Sequence, residues 1–190
     1  MDVIRILGIA GSLRKDSYNR SALKAAQEMV PAGATLDLIE LDGIPVFNQD
    51  DEMAPPASVI EFRRRILAAD AILFATPEYN YSVPGGLKNA IDWASRPYGK
   101  SAWRGKPAAV MGASSGGLGT ARAQYHLRQM LVALNMPVVT QPEVMISNAP
   151  QYFNLDGKLR DEPTRHLIHN LLDALVQLVL QSPESKSQAA

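Results

Sequence analysis

The sequence contains no cysteine among its 190 residues. Disulfide bonds, thiolate metal sites, iron–sulfur clusters held by cysteine and cysteine nucleophiles are therefore excluded. The same absence gives secretion no support, so we expect a cytoplasmic protein.

An excess of charge of either sign is also lacking, since Lys+Arg and Asp+Glu each number 19. Proteins that bind nucleic acid or anionic membranes depend on a broad excess of positive charge for non-specific affinity. No segment approaches the roughly 20 apolar residues that span a bilayer, and the first residues do not resemble a signal peptide. We expect neither a nucleic-acid nor a membrane partner.

The composition is that of a globular protein, with 46% hydrophobic and 20% charged residues. A chain of this length is usually one domain with one packed core. We therefore predict a single domain over residues 1–181. The polar end of the chain, residues 182–190, is expected to be a disordered tail.

Short apolar runs alternate with segments of helical periodicity along the whole chain. Five such alternations predict a parallel sheet with right-handed crossovers and helices on both faces, a doubly wound α/β fold. Strands are predicted at 3–10, 35–41, 71–76, 108–113 and from 138 onward, and helices at 19–30, 55–69, 86–94, 120–134 and from 161 onward.

The loop after the first strand has the composition of an anion site. It places Ser12, Arg14, Ser17 and Asn19 just before a helix N-terminus, where unpaired backbone N–H groups and a cation can hold a phosphate. A polar turn in which Ser17 or Asn19 is an ordinary N-cap explains the same residues. The loop matches neither the Walker pattern nor the dinucleotide fingerprint.

The loop after the third strand, residues 76–92, combines Tyr79 and Tyr81 with Pro77 and Pro84. The prolines stiffen the backbone, and flat side chains between them suit a heterocycle. The alternative is a packed surface loop.

The loop after the fourth strand, residues 112–119, is rich in glycine, so its backbone can approach a ligand closely. It also matches the G-x-S-x-G pattern of serine hydrolases around Ser114, with His166 and His169 further along the chain. The extra glycines and the placement of both histidines on a helix argue against a hydrolase, which we keep as a remote alternative.

Two motifs, GSLRKDSYN at 11–19 and PEYNYSVPGGLKNAID at 77–92, closely resemble the NADPH-dependent FMN reductase family, in particular its bacterial quinone and chromate reductases. The resemblance extends over about residues 3–180. It implies a flavodoxin-like fold with five strands in the order 2-1-3-4-5. It also implies an FMN-dependent NAD(P)H oxidoreductase that passes hydride through flavin N5 to quinones, with chromate, azo compounds and free flavin as further candidates.

The same resemblance implies the cofactor site and the assembly. The chemistry would reside on FMN, with NADPH or NADH as co-substrate and no catalytic side chain. From the residues themselves we expect no metal, since the histidines have no nearby cysteine and no converging carboxylates. Residues expected to hold the FMN phosphate are Ser12, Arg14, Ser17, Tyr18 and Asn19. Residues expected around the isoalloxazine are Pro77, Glu78, Tyr79, Asn80, Tyr81 and Ser82, with Ser114 or Ser115 and Gly116 completing the site. A homodimer or homotetramer is implied, with Arg122, Tyr125 and Glu143 at an interface. The main rival is a flavodoxin-like carrier of single electrons.

Overall fold

The computed structural model describes residues 3–181, and the tail predicted for 182–190 lies outside them. Over this part of the chain, five strands and five α-helices alternate as predicted. Their bounds are β1 Ile4–Ala10, α1 Tyr18–Gln27, β2 Ala34–Ile39, α2 Ala57–Ala68, β3 Ala71–Ala75, α3 Gly85–Ala94, β4 Ala108–Ala113, α4 Ala121–Ala133, β5 Val144–Ile146 and α5 Glu162–Gln181.

The strands form one parallel sheet in the order β2-β1-β3-β4-β5. This order confirms the predicted doubly wound, flavodoxin-like architecture. The chain winds outward from β1 in both directions, so the order reverses between β1 and β3. Ligands of such sheets bind beyond the carboxyl ends of the strands at this reversal.

Both faces of the sheet are covered by helices. Helices α1 and α5 pack on one face, and α2, α3 and α4 pack on the other. Every residue of β3 and β4 is buried, which explains why these strands are continuous apolar runs without the alternation of a half-exposed strand. No helix within residues 3–181 has both the length and the apolar character needed to cross a bilayer.

The predicted position of the fifth strand is wrong. Val138 makes only an isolated parallel bridge to Ala108, and the strand itself is Val144–Ile146. Pro142 lies between the two and has no N–H to donate to a ladder. The apolar pair at 138–139 therefore touches the amino end of β4, and the chain pairs again only beside the carboxyl end of that strand.

Candidate functional site

A cleft of about 760 Å³ lies beyond the carboxyl ends of the strands. Its walls are the loops that follow β1, β3 and β4, the three loops that the sequence singled out. Its volume is within the range of about 300 to 1,000 Å³ that is typical of small-molecule sites. The predicted cofactor residues that line it are Ser12, Arg14, Ser17, Tyr18, Asn19, Pro77, Glu78, Tyr79, Ser114, Ser115 and Gly116.

Helix α1 begins at the floor of this cleft, and its first turn is held by serine hydroxyls. Ser17 is the N-cap, and its Oγ accepts a hydrogen bond from the backbone N–H of Asn19 at 3.2 Å. The Oγ of Ser12 accepts from the N–H of Arg14 at 3.3 Å. Both serines are 3% exposed. The loop is thus preformed, with hydroxyls and backbone N–H groups at the positive end of a helix.

Two arginines flank this loop and differ in how their charge is balanced. Arg20 pairs with Glu40 at 2.6 Å and Asp42 at 3.1 Å, and its Nε donates to the carbonyl of Ser12. Arg14 donates to the backbone carbonyl of Asp16 at 2.6 Å, and no carboxylate of residues 3–181 forms an ion pair with it. Arg14 therefore supplies positive charge to the cleft, whereas Arg20, which the sequence reasoning missed, braces the loop.

The turn at 79–82 forms the outer wall. The backbones of Tyr79 and Ser82 exchange two hydrogen bonds of 3.0 Å, and Asn80 and Tyr81 both have positive φ angles, 50° and 67°. This is the geometry of a tight hairpin turn. Tyr79 and Pro77 face the cleft, whereas Asn80, Tyr81 and Ser82 do not line it. Of these three, the side chain of Tyr81 packs instead against Arg122, with the guanidinium 3.8 Å from the ring centroid.

The carboxylate of Glu78, from the loop after β3, lies at the N-terminus of α4. Its side chain is only 8% exposed, forms an ion pair with Arg122, and accepts hydrogen bonds from the backbone N–H groups of Arg122 at 3.0 Å and Ala123 at 3.2 Å. Burial opposes ionisation of this carboxyl, but these hydrogen bonds outweigh it and hold the pKa of Glu78 below its usual value. The positive end of α4 is therefore already paired with a carboxylate.

The third wall is the glycine-rich loop after β4. Its close packing requires glycine at position 112, because a Cβ there would overlap Thr120 Oγ1 and the carbonyl of Thr76. The Oγ of Ser114 accepts from the N–H of Gly116 at 3.0 Å. Lining residues that the sequence reasoning did not assign to the cofactor are Ala113, Gly117, Leu118, Thr120 and Arg122.

The histidines do not support the hydrolase alternative. His126 contacts Ser82 Oγ at 3.1 Å, and His169 contacts the carbonyl of Met29 at 3.0 Å. Within the described residues, no histidine hydrogen-bonds to Ser114, so the base that would activate a serine nucleophile is not in place.

Of the three residues predicted for an interface, Tyr125 and Glu143 contact each other, whereas Arg122 contacts other residues. Tyr125 donates a hydrogen bond to Glu143 at 3.3 Å, and this bond raises the pKa of Tyr125. Arg122, in contrast, belongs to the cleft through Glu78 and Tyr81.

The sequence profile of the NADPH-dependent FMN reductase family matches residues 4–151. The chain belongs to this family. Among curated relatives, the NAD(P)H-dependent FMN reductase of Pseudomonas aeruginosa is 54% identical over 175 residues, which covers 92% of this chain and 94% of the relative. The quinone reductase of Pseudomonas putida is 45% identical over 178 residues, covering 93% and 95%.

Among solved structures, the flavoenzyme NAD(P)H:(acceptor) oxidoreductase FerB of Paracoccus denitrificans superposes with a TM-score of 0.87 at 38% identity, covering 95% of this chain and 99% of that one. Membership of the FMN reductase family confirms the predicted oxidoreductase class and the predicted use of FMN with NAD(P)H.

The cleft fits FMN. A phosphate matches the N-terminus of α1, where Arg14 forms no ion pair with a carboxylate of residues 3–181 and Ser12 and Ser17 present hydroxyls. The flat ring matches the wall made by Pro77 and Tyr79.

Proposed function

We propose that the chain is an FMN-dependent NAD(P)H oxidoreductase that reduces quinones and similar small acceptors. The observation that carries this proposal is the cleft itself, which is lined by Arg14 and the first turn of α1 together with Pro77 and Tyr79. The names of the relatives from the two Pseudomonas species support it.

The loop after β1 would hold the phosphate, through Arg14 and the hydroxyls of Ser12 and Ser17. The ring would lie between Tyr79 and the loop at 114–116, whose glycine lets backbone N–H groups approach its polar edge. Bound FMN supplies the redox chemistry, accepting hydride from NAD(P)H and delivering electrons to the second substrate. The side chains bind and orient, and none is required as a covalent nucleophile.

The charge balance at the ring end of the cleft favours an uncharged acceptor. Arg122 reaches the lining, but Glu78 neutralises it, so this pair adds no net charge there. A quinone carries no charge either, and it can enter without losing strong hydration. Tyr79 lines the cleft and is 52% exposed, so its ring gives a flat acceptor a surface to stack on.

We also propose that the protein assembles as a homodimer or homotetramer. Tyr125 is 49% exposed and lies next to Glu143 on the outer side of α4, where a second copy can reach it. Arg122 would contribute to such an interface only through the part of its side chain that Glu78 and Tyr81 leave exposed.

The proposed activity is tested by purifying the protein, adding FMN and recording its visible spectrum before and after NADPH under anaerobic conditions. We expect a yellow protein that NADPH bleaches, and steady NADPH consumption when a quinone is added with no partner protein. A single-electron carrier would not consume NADPH in this way. A colourless protein that FMN cannot reconstitute would contradict the proposal.

A further inference from the structure

Strand β4 extends beyond its neighbour β3 at the edge of the cleft. The last register pair of the two strands is Ala75 with Met111, and one further hydrogen bond of 3.0 Å runs from the N–H of Thr76 to the carbonyl of Met111. Pro77 follows, has no N–H, and begins the outer loop. On its other side β4 remains paired with β5 as far as Ala113.

The backbone groups of Ala113 therefore need a partner from outside the sheet. The backbone N–H and C=O groups of successive residues point to opposite sides of a strand, so those of Ala113 point to the same side as those of Met111. On that side β3 ends before it reaches Ala113. Leaving a buried N–H and a buried carbonyl unpaired there would be costly.

The side chain of Asn19 fills this place. Its Nδ2 donates to the carbonyl of Ala113 at 2.9 Å, and its Oδ1 accepts from the N–H of Ala113 at 2.9 Å. One side-chain amide thus presents a donor and an acceptor as the next strand would. Asn19 is only 2% exposed, and its Oδ1 and one of the two N–H groups of its Nδ2 are bound to the backbone of Ala113.

The contact joins two walls of the cleft. Asn19 lies in the first turn of α1, and its own N–H is held by Ser17. Ala113 is the last residue of β4, directly before Ser114. A displacement of either loop would break the paired hydrogen bonds and release the other.

We propose that Asn19 is a positioning residue that locks the phosphate loop and the loop after β4 into one unit, and that its side chain does not bind the phosphate. This inference rests on the proposed FMN function and revises the role that the family resemblance implied for this residue. It predicts that Asn19 affects ligands with and without a phosphate alike.

The first test compares FMN with riboflavin, which has the same ring and no phosphate. Both are titrated against wild type, Asn19→Ala and the control Arg14→Ala by quenching of flavin fluorescence. We expect Asn19→Ala to weaken both flavins by a similar factor, on the order of tenfold for two lost hydrogen bonds. We expect Arg14→Ala to weaken FMN and spare riboflavin. Loss of FMN affinity alone in Asn19→Ala, or no loss for either flavin, would overturn the inference.

The second test needs no ligand and measures amide hydrogen exchange of the flavin-free protein. In wild type, the Ala113 amide should exchange slowly, although it lies beyond the end of β3. Asn19→Ser is a milder change, used in case the alanine variant does not fold. In this variant the Ala113 amide should exchange faster, while the Met111 amide, which lies inside the β3–β4 ladder, should still exchange slowly. An Ala113 amide that exchanges in wild type as fast as that of exposed Ser115, or equal acceleration at Met111, would contradict a local lock.

The two tests separate this inference from the proposed function. If wild type binds neither flavin, the proposed function fails, and the exchange of the Ala113 amide alone then decides whether Asn19 holds the two loops together.

Discussion

Replacing Arg14 with alanine tests where the phosphate binds. Arg14 lies at the N-terminus of α1, uses one donor on the carbonyl of Asp16, and has no ion pair with a carboxylate of the described residues. Hydrogen bonds to charged groups contribute about 1.5–3 kcal/mol, which corresponds to roughly a 10- to 150-fold change in affinity. Because the side chain is exposed to solvent, we expect the loss of FMN affinity to fall in the lower part of that range.

The assay is titration of FMN against the flavin-free protein. Arg14→Ala should weaken FMN and leave the free energy of unfolding nearly unchanged, since the side chain's one hydrogen bond to protein is local. Arg104→Ala is the matched control, because Arg104 is also exposed but precedes β4 at the opposite edge of the sheet. Unchanged FMN affinity in Arg14→Ala, or an equal loss in Arg104→Ala, would refute the placement of the phosphate.

Three further variants and one control test the walls of the cleft. Gly112→Ala should destabilise the fold by about 1–3 kcal/mol or more because the added methyl overlaps its neighbours, whereas Gly117→Ala, with nothing within 4 Å, should unfold like wild type. Ser17→Ala removes an N-cap and should cost about 0.5–2 kcal/mol in chemical denaturation; no loss would contradict that role. Because the pKa of Glu78 is lowered in the folded state, its ionised carboxylate stabilises the fold at pH values above the usual glutamate pKa. This contribution is lost as the pH falls below 4.5 and passes through the folded-state pKa. The free energy of unfolding of Glu78→Gln should therefore fall less steeply than that of wild type as the pH is lowered below 4.5. An equally steep fall would contradict this.

The sequence was sufficient to predict β1, β3 and β4 because burial on both faces makes them largely continuous apolar runs. Strand β2 lies at the edge of the sheet and is mostly not buried, and the alternation of polar and apolar residues at 35–41 predicted it instead. The sequence was insufficient for the fifth strand, since β5 has only three residues and the apolar pair at Val138, which comes earlier in the chain, gives the same short β-branched signal. The position of a short edge strand depends on the segments that it packs against, and these are distant in the sequence.

The loops of the cleft were predictable for a different reason. Serines before a helix, paired prolines around tyrosines and clustered glycines each depart from ordinary turn chemistry, so they could be recognised one loop at a time. The roles within the loops were not predictable, because they depend on contacts between distant segments. Asn19 reaches Ala113, 94 positions away, and Glu78 reaches the start of α4, 44 positions away.

The most direct test of the account is a crystal structure of the protein with FMN. We expect the phosphate at the N-terminus of α1, within hydrogen-bond distance of Arg14 and of the Ser12 or Ser17 hydroxyl. A phosphate bound elsewhere, with these three side chains engaged only by other protein atoms, would contradict it.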